Sequence, residues 1–233
     1  MAMSEGWKAT MVAAAKNKST ADYDALVKTI LDDYTKRFGK TPDLWRLPDA
    51  KLFKAIMLVE SGGPAGSAWT TRVMQIGNPG DPALAVLRSK AQHSDLIMNA
   101  DLQSRLADPK QFPIDDPSLN IQAGIAYAFV RAAKFTTSWV ADLSNLIPYT
   151  VKSGDSLYRI ALREHTSIEQ LKTDNPTLAK VLHPGVVLKF HRGQYVTAIS
   201  GWKAMDAQFF ATQYNGGGDA EYAAKVEYVY ALL

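Results

Sequence analysis

Apolar residues recur every three to four positions along most of the chain, and this period predicts helices. Tyr23, Leu26, Val27, Ile30, Leu31 and Tyr34 form one stripe, with Thr20 placed to cap it and Gly39 to end it. Thr41-Pro42-Asp43 predicts a further short turn with Pro42 in the first-turn position that proline tolerates. Phe53, Ile56 and Met57 form a second stripe that Asp49 can cap and Gly62-Gly63-Pro64 cannot continue. Residues 62–82 are rich in Gly, Pro, Ser and Thr and predict loops, or a short hairpin carrying Met74 and Gln75. Asp116-Pro117 opens a helix through Ile121, Gly124, Ile125, Ala128 and Phe129, whose small residues permit close packing. Trp202, Met205, Phe209 and Phe210 predict a buried helix that Tyr214-Asn215-Gly216-Gly217-Gly218 breaks. Asp219 can then cap a last helix through Tyr222, Val226, Val229 and Leu233.

Between these blocks the pattern changes. Tyr149-Thr150-Val151 predicts a short strand, Gly154-Asp155 a turn, and Leu157, Ile160 and Ala161 a helix that Asp155 can cap. Ser167-Ile168-Glu169-Gln170 has the form of a capping box for a second helix, which Asn175-Pro176 ends before a second strand at Val186–Phe190. The order is βααβ. Antiparallel pairing of the two end strands brings the first and last residues of such a module together, so it can sit in a surface loop of a host. The expected organisation is mainly α, with residues 1–148 and 193–233 forming one domain and residues 149–192 inserted in it.

Composition narrows the function. The chain has 233 residues, 47% of them hydrophobic, enough for a core and a second small module. It has no cysteine, which excludes disulfides and thiolate metal sites, and His93, His165, His183 and His191 lack metal-pair spacing, so no metal and no cofactor are expected. No apolar run approaches the roughly 20 residues of a membrane span. The run Ala9–Ala15 between Lys8 and Lys16 is short and leucine-free for a signal-peptide core, so no cleavable leader is expected. The Gly-rich run at 214–218 lacks the Lys-Ser/Thr ending of a phosphate-binding loop, and neither a nucleic-acid nor a membrane partner is expected. Residues 149–192 hold seven of the 26 basic and four of the 23 acidic residues, so the net charge of +3 resides in the insert. A surplus this small gives weak steering toward an anionic polymer.

Glu60 is the first candidate for chemistry, because it lies seven, four and three residues after Phe53, Ile56 and Met57 and shares their face. A carboxyl at the last turn of an apolar helix is harder to ionise, so it can hold a proton at neutral pH and donate it as a general acid. The alternative is a glutamate whose stem packs on the core while its head reaches water. Glu60-Ser61-Gly62-Gly63, Val73-Met74-Gln75-Ile76-Gly77, Asn120–Tyr127 and Tyr214-Asn215-Gly216-Gly217 follow in the order and spacing of a known family. On these four motifs the chain resembles the lysozyme-like catalytic domain of the soluble lytic transglycosylases, which cut the glycan strands of peptidoglycan. It departs from them at Thr71-Arg72-Val73, where Gly-Leu is usual, and at Gln213, where Ala is usual.

Residues 149–192 resemble a LysM domain, a module that binds N-acetylglucosamine chains. Tyr149–Leu157, Ile160-Ala161, Asn175-Pro176 and Pro184–Leu188 carry the likeness, and Phe190-His191 replace the usual Ile-Pro. The resemblance implies glycan contacts at Gly154, Asp155, Ser156, Asn175, Pro176 and Thr177, in the loops after the first strand and before the last.

Together the two resemblances imply an enzyme that binds peptidoglycan glycan strands and cuts the bond between N-acetylmuramic acid and N-acetylglucosamine, leaving anhydro-muramyl ends. Glu60 is implied as the acid, with Ser61, Met74, Gln75, Asn120, Tyr214, Asn215 and Tyr222 holding the sugar or supporting the carboxyl. Two alternatives stay open: a hydrolytic muramidase using a second carboxylate, for which Asp81 is the nearest by order, and an inert wall-binding structural protein. A monomer acting in the periplasm or cell wall is expected, delivered by phage lysis, a virion or a secretion machine, with an immunity protein left open.

Overall fold

The computed structural model describes residues 3–41, 49–108, 113, 115–179 and 181–233, so the turn expected at Pro42-Asp43 lies outside the described residues. The chain is mainly α-helical with a small two-stranded sheet. Helices α1 (Glu5–Lys16), α2 (Asp24–Phe38), α3 (Ala50–Ser61), α4 (Ala83–Arg88), α5 (Ser94–Ile97), α6 (Ala100–Ala107) and α7 (Pro117–Ala132) come first. Strand β1 (Ala133–Thr150), helices α8 (Leu157–Glu164) and α9 (Ile168–Asp174), and strand β2 (Val187–Trp202) follow. A short α10 (Ala207–Phe209), a π turn (Phe210–Tyr214) and α11 (Tyr222–Leu232) close the chain. Two compact units result, one of residues 1–134 and 199–233, the other of residues 135–198.

In the first unit α3 packs against α11, α2 and α1, and α7 against α4 and the π turn. Phe53, Ile56, Met57 and Leu58 of α3 are fully buried, as the apolar stripe requires. Phe53 meets Phe210 edge-on at 5.6 Å, while Phe129 of α7 stacks on Tyr34 at 3.8 Å and meets Trp202 at 5.5 Å. Asp49 caps α3 by accepting from the Leu52 amide at 2.8 Å. Gly62 ends α3 in the left-handed conformation, with φ 76°, which a side chain would disfavour.

Several local expectations are corrected. Thr20 does not cap α2, because its buried hydroxyl donates to the Ala14 carbonyl at 2.6 Å and so ties a 3₁₀ turn (Lys18–Ala21) to the end of α1. Residues 62–82 form turns and a 3₁₀ helix rather than a hairpin. Trp202 ends β2 instead of joining a helix with Phe209, since Asp206 restarts the chain by capping α10 through the Phe209 amide at 2.8 Å. Asp219 stands two residues before the cap position of α11, which is Glu221, and accepts the Glu221 amide at 2.9 Å.

Strands β1 and β2 pair antiparallel: Thr137 bonds Thr197 in the second unit and the Ser200 hydroxyl donates to the Lys134 carbonyl in the first, so one strand advances as the other recedes. Both strands are far longer than the short segments expected, and most side chains of the ribbon at residues 134–146 and 192–200 are exposed or half-buried. Their sequence shows little regular alternation of polar and apolar residues, and pairing with a partner strand sets their extent. The chain enters the unit within β1 and leaves it within β2, so residues 135–148 and 193–198 group with the βααβ segment. That segment has its own core of Val151, Ile160, Ala161, Leu171, Leu188 and Phe190. Among the described residues no helix is long and apolar enough to cross a membrane.

Candidate functional site

The Glu60 side chain emerges at the last turn of α3 into a groove of about 470 Å³ in the first unit. Met74, Gln75, Asp81, Tyr127, Tyr214 and Asn215 line it too. Four stretches far apart in the chain thus meet around one carboxyl: the end of α3, the loop 74–82, one face of α7 and the π turn.

Glu60 is partly exposed, yet its carboxyl is crowded enough that burial pushes its pKa up to about 7, with Asp81 and Asp219 adding to the rise. The buried Tyr222 of α11 opposes this by donating its hydroxyl to Glu60 Oε1 at 2.5 Å, a bond that favours the carboxylate. Tyr222 and Tyr214 have phenol pKa values raised well above their ordinary value by burial and then by Glu60, so both remain neutral donors.

Behind the groove wall Asn120 is fully buried and holds the loop from both sides. Its Oδ1 accepts from the Met74 amide and its Nδ2 donates to the Ile76 carbonyl, each at 2.9 Å. Tyr214 donates its hydroxyl to the Met74 carbonyl at 2.9 Å. Gly124 lets the loop approach α7, since a Cβ there would stand 2.5 Å from Met74 Cβ. Gln75 between these anchors takes the left-handed conformation with φ 55°, uncommon for a residue other than glycine. Its Nε2 donates to the Arg72 carbonyl at 2.8 Å and its Oε1 accepts from Asn78 at 2.5 Å. Backbone held in this way beside a carboxyl is the kind of local strain that clusters at functional sites.

Of the residues singled out from sequence, Glu60, Met74, Gln75, Asp81, Tyr214 and Asn215 border the groove. Asn120 and Tyr222 lie behind it as supports. Ser61 is buried in the helix terminus, donating to the Met57 carbonyl at 2.6 Å and accepting from the Gly63 amide at 3.1 Å, and does not line the groove. Asp81 closes its own loop: Oδ2 accepts from the Gly77 amide at 2.6 Å and Oδ1 from the Ala83 amide at 2.9 Å. Tyr127 and Arg131 were not singled out as site residues, though Asn120, Gly124, Tyr127 and Arg131 recur at helical spacing and share one face of α7.

In the second unit the six loop residues are mostly committed to the fold. Asp155 does not cap α8; its carboxylate accepts from the Tyr149 hydroxyl at 2.6 Å, the Lys152 amide at 2.8 Å and Arg163 at 3.2 Å. These bonds hold its pKa below the ordinary value, the Tyr149 hydroxyl foremost. Ser156 is the cap instead, accepting from the Arg159 amide at 3.2 Å. Asn175 pairs with both backbone groups of Lys189, which fixes the second loop to β2. The capping box at Ser167 is half made, because Gln170 turns its side chain to Asp174 at 2.8 Å. Gly154, Pro176 and Thr177 stand in the same two loops, whereas the cavity of about 460 Å³ in this unit lies elsewhere, beside Trp139, Tyr158, Leu162, His165 and Tyr195.

No solved structure matches the chain. A stretch of 40 residues, 17% of the chain, is 48% identical to a protein described as probable autolysin LDP from Staphylococcus aureus (strain NCTC 8325 / PS 47), of which it covers 14%. Residues 149–190, which fold as strand, helix, helix and strand around the Val151, Leu171 and Phe190 core, match the LysM domain family.

Proposed function

We propose that the protein is a peptidoglycan-cleaving enzyme whose first unit cuts the glycan strand and whose LysM segment holds the enzyme to it. The observation that carries this reading is Glu60: a half-buried carboxyl at a helix end, opening on a groove, with its pKa raised to about 7 and a neutral tyrosine donating to one oxygen. Tyr222 donates to Oε1, which leaves Oε2 as the oxygen that carries the proton. A carboxyl poised near neutrality is suited both to give a proton and to take one back.

In the proposed reaction Glu60 protonates the glycosidic oxygen between N-acetylmuramic acid and N-acetylglucosamine, and the bond from that oxygen to the muramyl anomeric carbon breaks. The substrate's N-acetyl group stabilises the developing cation. The Glu60 carboxylate then removes the proton of the muramyl C6 hydroxyl, whose oxygen closes on the anomeric carbon. The product is an anhydro-muramyl end, no water is consumed, and Glu60 returns to its protonated form. Gln75, Tyr214 and Asn215 border the cleft in which the sugar would lie, and Asn120 and Gly124 fix the wall. Gly154, Ser156, Pro176 and Thr177 are the proposed glycan contacts of the LysM segment, with Asp155 and Asn175 shaping its two loops.

A hydrolytic muramidase is the second reading, favoured by one observation: Asp81 borders the same groove as Glu60. Both Asp81 oxygens already accept backbone amides, which favours a turn-closing role over activation of water. Mass spectrometry of digested strands separates the two. Anhydro-muramyl ends, with Asp81→Asn retaining product type, are expected; reducing muramyl ends and an inactive but folded Asp81→Asn variant would establish the hydrolase.

Tyr222→Phe tests the setting of the acid. Removing the hydroxyl removes the bond that lowers the Glu60 pKa, so the pKa rises further. Activity that depends on protonated Glu60 should then persist to higher pH, and the alkaline limb of the pH–rate profile should move upward. An alkaline limb that stays in place, or moves down, would detach that limb from Glu60.

A further inference from the structure

The groove contains a cation that the proposed chemistry does not use. Arg131, half-buried on α7, borders the same groove as Glu60. Its Nε donates to the Gln213 carbonyl at 3.1 Å and its Nη2 lies 3.5 Å from Gln213 Oε1, so the guanidinium is held from one side. Lys203 Nζ reaches the Arg131 carbonyl at 2.9 Å and gathers more positive charge there. Among the described residues no carboxylate forms an ion pair with Arg131. Both carboxyls of the groove are engaged elsewhere, Asp81 by the Gly77 and Ala83 amides and Glu60 by the Tyr222 hydroxyl. A guanidinium has five donors in a planar fork that matches a carboxylate, and here Nη1 has no hydrogen-bond partner among the described residues.

We infer that Arg131 is a specificity residue that receives a carboxylate of the substrate, and that Gln213 is its positioning residue. The proposal rests on the reading of the groove as a glycan-cutting site. Two carboxylates of peptidoglycan could fill the role: the lactyl group of muramic acid in strands free of peptide, and the acidic groups of the stem peptide where it is attached. Either would let the enzyme tell an acidic wall glycan from a neutral polymer of N-acetylglucosamine, which presents no anion. The presence of Gln213 where the related sequence pattern has alanine acquires a reason, because an alanine side chain would offer Nη2 no acceptor.

The test uses the full chain on four substrates: peptide-free strands and peptide-bearing strands, each native or with carboxyl groups amidated. A charge-assisted pair is worth about 1.5–3 kcal/mol, or roughly ten-fold or more in KM. Wild type should lose about that factor on amidation of at least one strand type, and the responsive type identifies the carboxylate. R131Q should show the same loss on that native strand and add little on its amidated form, because both changes remove one interaction. Losses that multiply, or an R131Q variant that cuts all four substrates as wild type does, overturn the assignment of Arg131 and leave the enzyme reading in place. Native strands left uncut by wild type overturn the enzyme reading itself.

Discussion

Glu60→Gln is expected to lower the clearing of purified peptidoglycan by about 10²-fold or more, because general acid catalysis is typically worth 10²–10⁴. The amide keeps the shape of the side chain and can still accept from Tyr222, so the groove should be preserved. Its effect on stability has a definite sign. The folded pKa of about 7 lies above the ordinary glutamate value of 4.5, so the folded state binds the proton more tightly than the unfolded chain. The stability this gives is fully present below the unfolded pKa and is lost as pH rises through the folded one, a loss of at most roughly 3 kcal/mol. Melting curves of wild type should fall between about pH 4.5 and 7, and those of Glu60→Gln should lack that part of the fall. A variant that keeps more than about a tenth of the activity would remove Glu60 from the acid role.

Replacing residues 149–192 by a short Gly/Ser turn is expected to lower binding to intact sacculi by roughly 10²-fold while soluble glycan fragments are still cut. Tethering supplies effective concentration, worth about 10²–10⁴ in avidity, and supplies no chemistry. In the register of Thr137 with Thr197 and Lys134 with Ser200, residues 134–141 keep their partners at 193–200, and residues 142–148 with the added turn form the connection between them. Cosedimentation with sacculi and cleavage of soluble strands, measured on the same preparation, read the two functions separately. Undiminished cosedimentation would place wall binding outside the LysM segment, and loss of both functions in a folded variant would make that segment part of the catalytic machinery.

The sequence by itself determined the elements whose causes are local. The buried face of α3 follows from Phe53, Ile56 and Met57 recurring at helical spacing, and its ends from Asp49 and Gly62, which act through their own backbone neighbours. The βααβ order of residues 149–190 was legible for the same reason, as turn and cap residues punctuate short apolar runs. The position of Glu60 at the last turn of an apolar helix was legible too, and with it the direction in which burial would move its pKa.

Tertiary structure decided everything that depends on what a side chain meets far along the chain. Tyr222 lies 162 residues from Glu60, and only the packing of α11 on α3 brings its hydroxyl to the carboxyl. Asn120 could be placed on a helix but not assigned to the Met74 amide and the Ile76 carbonyl, because burial without a partner is costly and the partner belongs to another element. Thr20 and Asp155 were legible as helix caps and are not, since the Ala14 carbonyl and the Tyr149 hydroxyl compete for them. The length of β1 and β2 was equally hidden: a mostly exposed strand has little apolar alternation to show, and its extent is set by the strand it pairs with. Arg131 was visible only as the far end of a helical stripe. That it faces the Glu60 groove, held by Gln213 82 residues away and free of any ion pair among the described residues, is a property of the fold.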